Sequence, residues 1–332
     1  PWDAIINRIA EEVMERTRAG APVEILSTYG EMSPPVWILK PLLYKGLPTI
    51  LFGEKGVAKS TLAMIAYLML VTGWIDNPMG WEMPGDPVRA LYLDYEVGPE
   101  VARWTLQRLI KGTDLGNIDL YYRRGVHPLA DEAEQIQRHM GDIGAEVLII
   151  DSLSRALGGD TNETALASRF AEVVRGMGKA TLIIAQTSKP GREETGKKRT
   201  VLGSTLHEYF ARLVYEVRRS DEDETNGLDI ALYNTHHNLG PRFRPQGYRL
   251  TFDQAGAHIE TCAITAPELV ARLGVEAQLL RVLKRGRRMP ADLAKELGLT
   301  ANTVSVTLDR LKHKGQVIHF GDGWGLDESG GF

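Results

Sequence analysis

Apolar positions along the chain change period from one region to the next. Between residues 2 and 18, Ile5, Ile6, Ile9 and Val13 recur at helical spacing, and Gly20, Pro22, Pro34 and Pro35 then break the pattern. This predicts an N-terminal helix and an extended lead-in. Beyond them, short β-type runs at residues 49–52, 88–94, 118–122, 146–151 and 181–185 alternate with helical stretches. Strand and helix alternating at that spacing predict a mainly parallel sheet with helices on both faces. Residues 213–217, 228–233 and 248–252 are separated by polar loops too short for crossover helices, so they are expected to pair antiparallel at one edge.

The pattern shifts again near Glu260, and residues 261–273 read as a connector. From Val275 onward there are three short helical patterns. Leu279, Leu280 and Leu283 mark the first, Leu293 and Leu297 the second, and Val304, Val306, Leu308 and Leu311 the third. A strand–turn–strand signal follows at residues 316–326, with Gly321-Asp322-Gly323 at the turn. The expected organisation is therefore a lead-in at residues 1–34, an α/β core at 35–260, and a helix-turn-helix with a β wing at 274–328.

A length of 332 residues suits two domains. Hydrophobic and charged shares of 43% and 25% exclude a disordered or collagen-like chain. The single cysteine, Cys262, can form neither an internal disulfide nor a thiolate metal cluster, so a reducing cytoplasm is the expected compartment. The longest apolar run, residues 62–71, is about half of what a membrane span needs, and no membrane partner is expected. The chain opens on Pro1 without an initiator methionine or a signal-peptide pattern, so it is expected to be trimmed from something longer. The net charge of -4 hides a local asymmetry: residues 272–314 carry 10 Lys/Arg against 4 Asp/Glu.

Four segments carry candidate chemistry. Gly53-Glu54-Lys55-Gly56-Val57-Ala58-Lys59-Ser60-Thr61 follows an apolar strand and opens an apolar helix, the context that a Walker A phosphate loop requires. Its backbone amides would cradle ATP, Lys59 would reach the β- and γ-phosphates, and the Ser60 hydroxyl would coordinate Mg²⁺. Ala58 stands where glycine is usual, and its methyl is expected to be tolerated through a negative φ. The second segment, an apolar strand ending in Asp151, fits Walker B, with the aspartate holding the Mg²⁺ shell. In the third, Asp94-Tyr95-Glu96, two acids reach the same edge. Glu96 is favoured as the group that polarises the attacking water, with Asp94 as base or two solvated acids as the alternatives. Gln186, at the end of the fourth, is the expected γ-phosphate sensor, against the alternative of a simple loop cap.

These elements in this order, joined to Asp151-Ser152-Leu153-Ser154-Arg155 and Gly158-Gly159-Asp160-Thr161-Asn162-Glu163, resemble the RepA-type hexameric helicases of the RecA-like ATPase class. The resemblance spans about residues 35–253. It implies a RecA-like P-loop core, a homo-oligomeric ring of six with ATP at subunit interfaces, and single-stranded DNA in a central channel. It also implies a base at Glu96. Two channel loops would fall at residues 153–164 and 187–202. The second carries Lys189, Arg192, Lys197, Lys198 and Arg199 against Glu193 and Glu194, which suits phosphate contacts, although such a run can also be merely solvated. Related helicases place a Lys-x-Arg pair on the late hairpin to reach a neighbour's γ-phosphate. Here that stretch runs from Asn234 to Arg242 and holds histidines, leaving Arg242 or His237 as trans-acting candidates, or a catalytically weak interface.

The C-terminal helices point to DNA without the family. Asn302, Thr303, Ser305 and Arg310 are candidate groove contacts on the third helix, with Arg287 and Arg288 near for phosphates. Winged helices also mediate protein contacts. The combined expectation is an ATP-driven DNA helicase or translocase of a plasmid, phage or other mobile element. A recombination mediator and an ATP-switched DNA-binding regulator are the rivals.

Overall fold

The N-terminal pattern forms the helix it predicts, α1 (Trp2–Ala19), in which Arg8 pairs with Glu12 one turn on. Residues 1–36 and 37–332 make up two separate units. The chain is described from a computed structural model covering residues 2–19, 23, 25, 33–113, 115–187, 200–203, 206–220, 227–270 and 273–327.

The second unit begins with a small hairpin, β1 (Trp37–Leu39) and β2 (Leu43–Tyr44), and proceeds to β3 (Pro48–Gly53), α2 (Lys59–Thr72), β4 (Arg89–Asp94), α3 (Pro99–Lys111), β5 (Tyr122–Arg124) and α4 (Leu129–Asp142). After these come β6 (Ala145–Asp151), α5 (Leu153–Leu157), α6 (Thr164–Gly176), β7 (Ala180–Gln186), α7 (Leu206–Phe210) and β8 (Leu213–Arg219). Antiparallel strands β9 (Gly227–His237), β10 (Gln246–Phe252) and β11 (Ala257–Cys262) complete a sheet ordered β11-β10-β9-β8-β3-β7-β6-β4-β5.

Side-chain alternation explains the layers. In β3, Ile50 and Phe52 join one apolar cluster and Leu51 the other, and β6 divides Leu148 and Ile150 from Val147 and Ile149 in the same way. Successive strand residues point to opposite faces. Helices α2 and α3 cover one face through residues such as Leu68 and Leu106, and α4, α6 and α7 cover the other through Ile136, Phe170 and Phe210. Every residue of α2 from Leu62 to Leu70 is buried, so this helix is wrapped on all sides and starts rigidly where the phosphate loop ends.

Strands β8, β9 and β10 pair antiparallel as expected, and β8 also runs parallel to β3, which joins that edge to the parallel part of the sheet. Two expectations need correction. The strand expected at residues 118–122 is β5, and it starts only at Tyr122. Ahead of it the Tyr67 hydroxyl of α2 donates to the Asp119 carbonyl and accepts from the Tyr121 amide, occupying backbone groups that a ladder would otherwise use. Val306, expected in a helical core, is 42% exposed; Val304, Leu308 and Leu311 share one helix face and residue 306 lies on the opposite one. Strand β11 had no separate signal.

A short helix, α8 (Pro267–Val270), interrupts the connector, and Leu269 packs with Ala231 and Tyr233 of β9. The chain ends in α9 (Val275–Leu283), α10 (Pro290–Leu297), α11 (Ala301–His313) and the hairpin β12 (Val317–Phe320) and β13 (Gly323–Leu326). Leu279, Leu283, Leu293, Val304, Leu308 and Trp324 close a core among them, in the element order expected from the sequence.

Candidate active site at the carboxyl edge of the sheet

Parallel pairing brings the carboxyl ends of six strands to one edge in fixed register. Gly53 lies between Val217 and Gln186, Ile184 beside Asp151, Asp151 beside Asp94, and Asp94 beside Arg124. One strand, β7, separates the phosphate-loop strand from the Asp151 strand. At about 4.8 Å per strand, β3 and β6 are about 10 Å apart, a gap that the first turn of α2 spans from the loop towards Asp151. Lys59, Glu96, Asp151 and Gln186, four sequence-predicted residues, therefore converge at one edge.

The phosphate loop is shaped by its backbone. A Cβ at Gly53 would collide with the Val217 carbonyl, so only glycine fits against β8 there. Gly56 adopts a φ of 81°. Ala58 is left-handed as well, with φ 63° and ψ 24°, contrary to the negative φ expected of it: the loop turns into α2 through a left-handed N-cap, and the alanine adopts it despite its methyl. The left-handed region costs alanine about 1–2 kcal/mol, and glycine's freedom in the unfolded chain returns about 0.5–1 kcal/mol of that. Ala58→Gly is therefore expected to stabilise the fold by about 1 kcal/mol. A higher urea midpoint checks this; an unchanged or lower one refutes it.

Lys59 is buried, and its ammonium donates to the Gly53 carbonyl at 3.0 Å and the Glu54 carbonyl at 2.6 Å. Burial lowers its pKa, and the nearby carboxylates of Asp151, Glu96 and Glu54 only partly oppose that. An incoming polyphosphate would supply the charge that this buried cation lacks. Glu54, Lys55, Gly56 and Ser60 are exposed along the loop and first turn, Val57 is buried beneath it, and Thr61 is half-buried. Arg219, exposed at the end of β8, reaches the same loop: its Nη1 would lie 3.9 Å from a Cβ on Gly56. Sequence reading missed this cation, since no local motif marks it and only the pairing of β3 with β8 brings it there.

Asp151 is 3% exposed. Burial raises its pKa, opposed by hydrogen bonds from the Ser60 and Tyr92 hydroxyls, the latter at 2.8 Å from Oδ2. The contact between Ser60 and Asp151 joins a neutral oxygen donor to a carboxylate at one spot, a set suited to a hard cation. Tyr92 was not foreseen, because its hydroxyl is brought in by the pairing of β4 with β6.

The two acids after β4 differ sharply. Asp94 is fully buried and accepts from the Glu96, Val97 and Gly98 amides at 2.7, 3.1 and 2.6 Å, from the Tyr122 hydroxyl at 2.7 Å and from Arg124 at 3.2 Å. Burial pushes its carboxyl up, yet the Tyr122 hydroxyl and those amides outweigh it and leave the pKa lowered. Its lone pairs are taken by the turn it organises. Glu96 is exposed, and its carboxylate accepts from the Ser152 hydroxyl at 2.5 Å. Of the two, Glu96 is the one geometrically open to a water.

Gln186 is exposed at the end of β7, and its carbonyl accepts from Leu202. The Thr187 amide donates to the Gly53 carbonyl, the carbonyl that also holds Lys59, and Thr187 bridges to Val201. The base of the second loop is thus stitched to the phosphate loop. Lys189, Arg192, Lys197, Lys198 and Arg199 lie outside the described residues. In the first loop Thr161 meets the segment just beyond the second: its carbonyl accepts from His207 of α7 at 3.3 Å, and a Cβ at Gly203 would collide with it.

His237 and Arg242 lie at the other edge. His237 pairs with Leu213 at the start of β8, level with Thr49 at the end of β3 away from the phosphate loop, so neither residue reaches its own subunit's loop. The His237 ring is engaged at both nitrogens, by Tyr44 Oη at 3.1 Å and the Pro241 carbonyl at 2.6 Å, and stacks on Phe243. Arg242 is exposed. On α11, Asn302, Ser305 and Arg310 are exposed, whereas the Thr303 hydroxyl is shared with the helix cap, Thr300, at 2.8 Å. Arg287 stacks over Phe320 and pairs with Asp322 of the hairpin turn.

No helix among the described residues is long and apolar enough to cross a membrane. No curated protein matches the chain. Among solved structures, a KaiC-like protein from the hyperthermophilic archaeon Pyrococcus horikoshii OT3 is similar, with 15% identity and a TM-score of 0.45 over 73% of this chain and 100% of that one. Residues 15–192, more than half of the chain and the part that holds the phosphate loop, Glu96, Asp151 and Gln186, match the AAA domain family. The chain belongs to the AAA domain family and is a P-loop ATPase.

Proposed function

We propose that this ATPase is a ring-forming translocase on single-stranded DNA, with helicase action in the replication of a plasmid, phage or other mobile element. The observation that carries the reading is the hydrogen-bonded path from the Lys59 ammonium through the Gly53 carbonyl to the Thr187 amide, and through the Thr187–Val201 bridge to both ends of the basic loop. A change at the γ-phosphate has a short mechanical route to five cationic residues, Lys189, Arg192, Lys197, Lys198 and Arg199.

In this mechanism the amides of Glu54–Ala58 line the nucleotide's phosphates, and Lys59 exchanges the Gly53 and Glu54 carbonyls for them. Ser60 and Asp151 would hold Mg²⁺, which when bound neutralises charge on the β- and γ-phosphates. Glu96 takes the proton of the attacking water. Gln186 registers loss of the γ-phosphate. Arg242 serves a neighbouring subunit, because its own phosphate loop lies at the opposite edge of the sheet. Exposed Asn302, Ser305 and Arg310, with Arg287 and Arg288 nearby, suit a winged-helix contact with DNA.

Turnover with and without a single-stranded oligonucleotide, together with strand displacement on a forked duplex, tests the proposal. Stimulation of about tenfold, a barrier lowered by about 1.4 kcal/mol, with displacement of the tailed strand is expected. Stimulation without displacement would favour a recombination mediator. Turnover indifferent to DNA, in a chain that stays monomeric with ATP and oligonucleotide, refutes the translocase.

A further inference from the structure

Ser152 occupies the N-cap position of α5, where a serine hydroxyl ordinarily accepts from an amide of the first turn. It makes no such bond here. Instead the hydroxyl donates to Glu96 Oε1 at 2.5 Å, with the Ser154 hydroxyl 3.4 Å away. Ser152 is 2% exposed, so its hydroxyl direction is set by packing rather than by solvent.

Glu96 is thereby held at two points. Its amide donates to Asp94 Oδ1 at 2.7 Å, which fixes where the side chain leaves the backbone, and Ser152 fixes where the carboxylate ends. The strands carrying the two partners are themselves tied, since the Tyr95 amide donates to the Asp151 carbonyl at 2.6 Å. Without Ser152 an exposed glutamate would spread over several staggered rotamers.

We propose that Ser152 is a positioning residue that aims the Glu96 carboxylate at the attacking water, so that one strand end sets both the metal-side aspartate and the base. The proposal rests on Glu96 being the base. Ser152 does not touch substrate; it acts by confining a group that does, and misplacement by about 1 Å can cost up to about 10²-fold in rate.

The test uses the full chain, with steady-state ATP turnover and the affinity for a fluorescent ADP analogue as separate readouts. Ser152→Ala is expected to lower kcat about tenfold while leaving KM and ADP affinity within about twofold, because the phosphate grip is untouched. Ser152→Thr, which keeps the hydroxyl, should restore most of the rate, and Ser152→Val, of the same shape without it, should not. That pair carries the test if the alanine variant folds poorly. Glu96→Gln alone should lose at least about 10²-fold, and adding Ser152→Ala to it should cost nothing more. Wild-type kcat in Ser152→Ala and Ser152→Val, or an equal loss in the Glu96→Gln background, overturns the role of Ser152 and leaves Glu96 standing. Wild-type turnover in Glu96→Gln overturns the base assignment and the proposal with it.

Discussion

Replacing Lys59 with alanine is expected to lower ATP turnover by about 10³-fold and to weaken nucleotide binding, while leaving the empty protein as stable as before or more so. The two halves have one cause. In the structure the Lys59 ammonium is buried, donates to the Gly53 and Glu54 carbonyls, and has its pKa depressed by burial that the Asp151, Glu96 and Glu54 carboxylates only partly oppose. A buried cation disfavours the charged fold, so below its ordinary range the folded state carries a penalty that is relieved as pH rises through the depressed value. Alanine removes the penalty together with the charge. Turnover, ADP-analogue affinity and thermal unfolding of the empty chain measure the three effects. Turnover near wild type would mean that Lys59 does not meet the transferring phosphate.

Asp94→Ala has the opposite signature: loss of stability first, and of activity as a consequence. Five donors converge on this carboxylate. Removing it strands the Glu96, Val97 and Gly98 amides, and a cost of about 3–5 kcal/mol is expected, nearer the lower end because Arg124 can turn to solvent. The pH dependence follows from the direction of the shift. Burial alone would raise the Asp94 pKa, yet the hydrogen bonds leave it lowered. Its stabilisation is therefore complete above the ordinary carboxylate range and is lost as pH falls through the depressed folded value. Urea midpoints at neutral pH and in acid should show the gap between wild type and variant closing in acid. If Asp94 were instead the base, Asp94→Asn would abolish turnover at little cost to stability, and that result would reverse the roles of the two acids.

The two acids show how far a sequence carries a site. Both stand after an apolar strand, so the edge they occupy is legible from local order. Which of them is open to water depends on Tyr122 and Arg124 of β5, which arrive through a strand pairing. The same division holds at Ala58: the motif locates the residue, but its left-handed φ of 63° comes from the way the loop must turn into α2. Arg219 carries no signal in its own neighbourhood, and Ser152 lies in a run that marks the resemblance without showing what its hydroxyl does. A strand-end arginine and a helix-capping serine are ordinary until their partners are known.

Periodicity, the phosphate-loop spacing and the run of acids and amide at strand ends are properties of contiguous residues, and they were enough for a P-loop ATPase core and the sheet edge that gathers its candidate residues. Contacts between residues far apart in the chain set everything else: the parallel entry of β8 beside β3, the burial of Asp94 against the exposure of Glu96, and the hydroxyl of Ser152 at Glu96 rather than at its own helix. Backbone pairing and packing select among side chains that are locally equivalent, because their energies depend on neighbours that sequence order does not name.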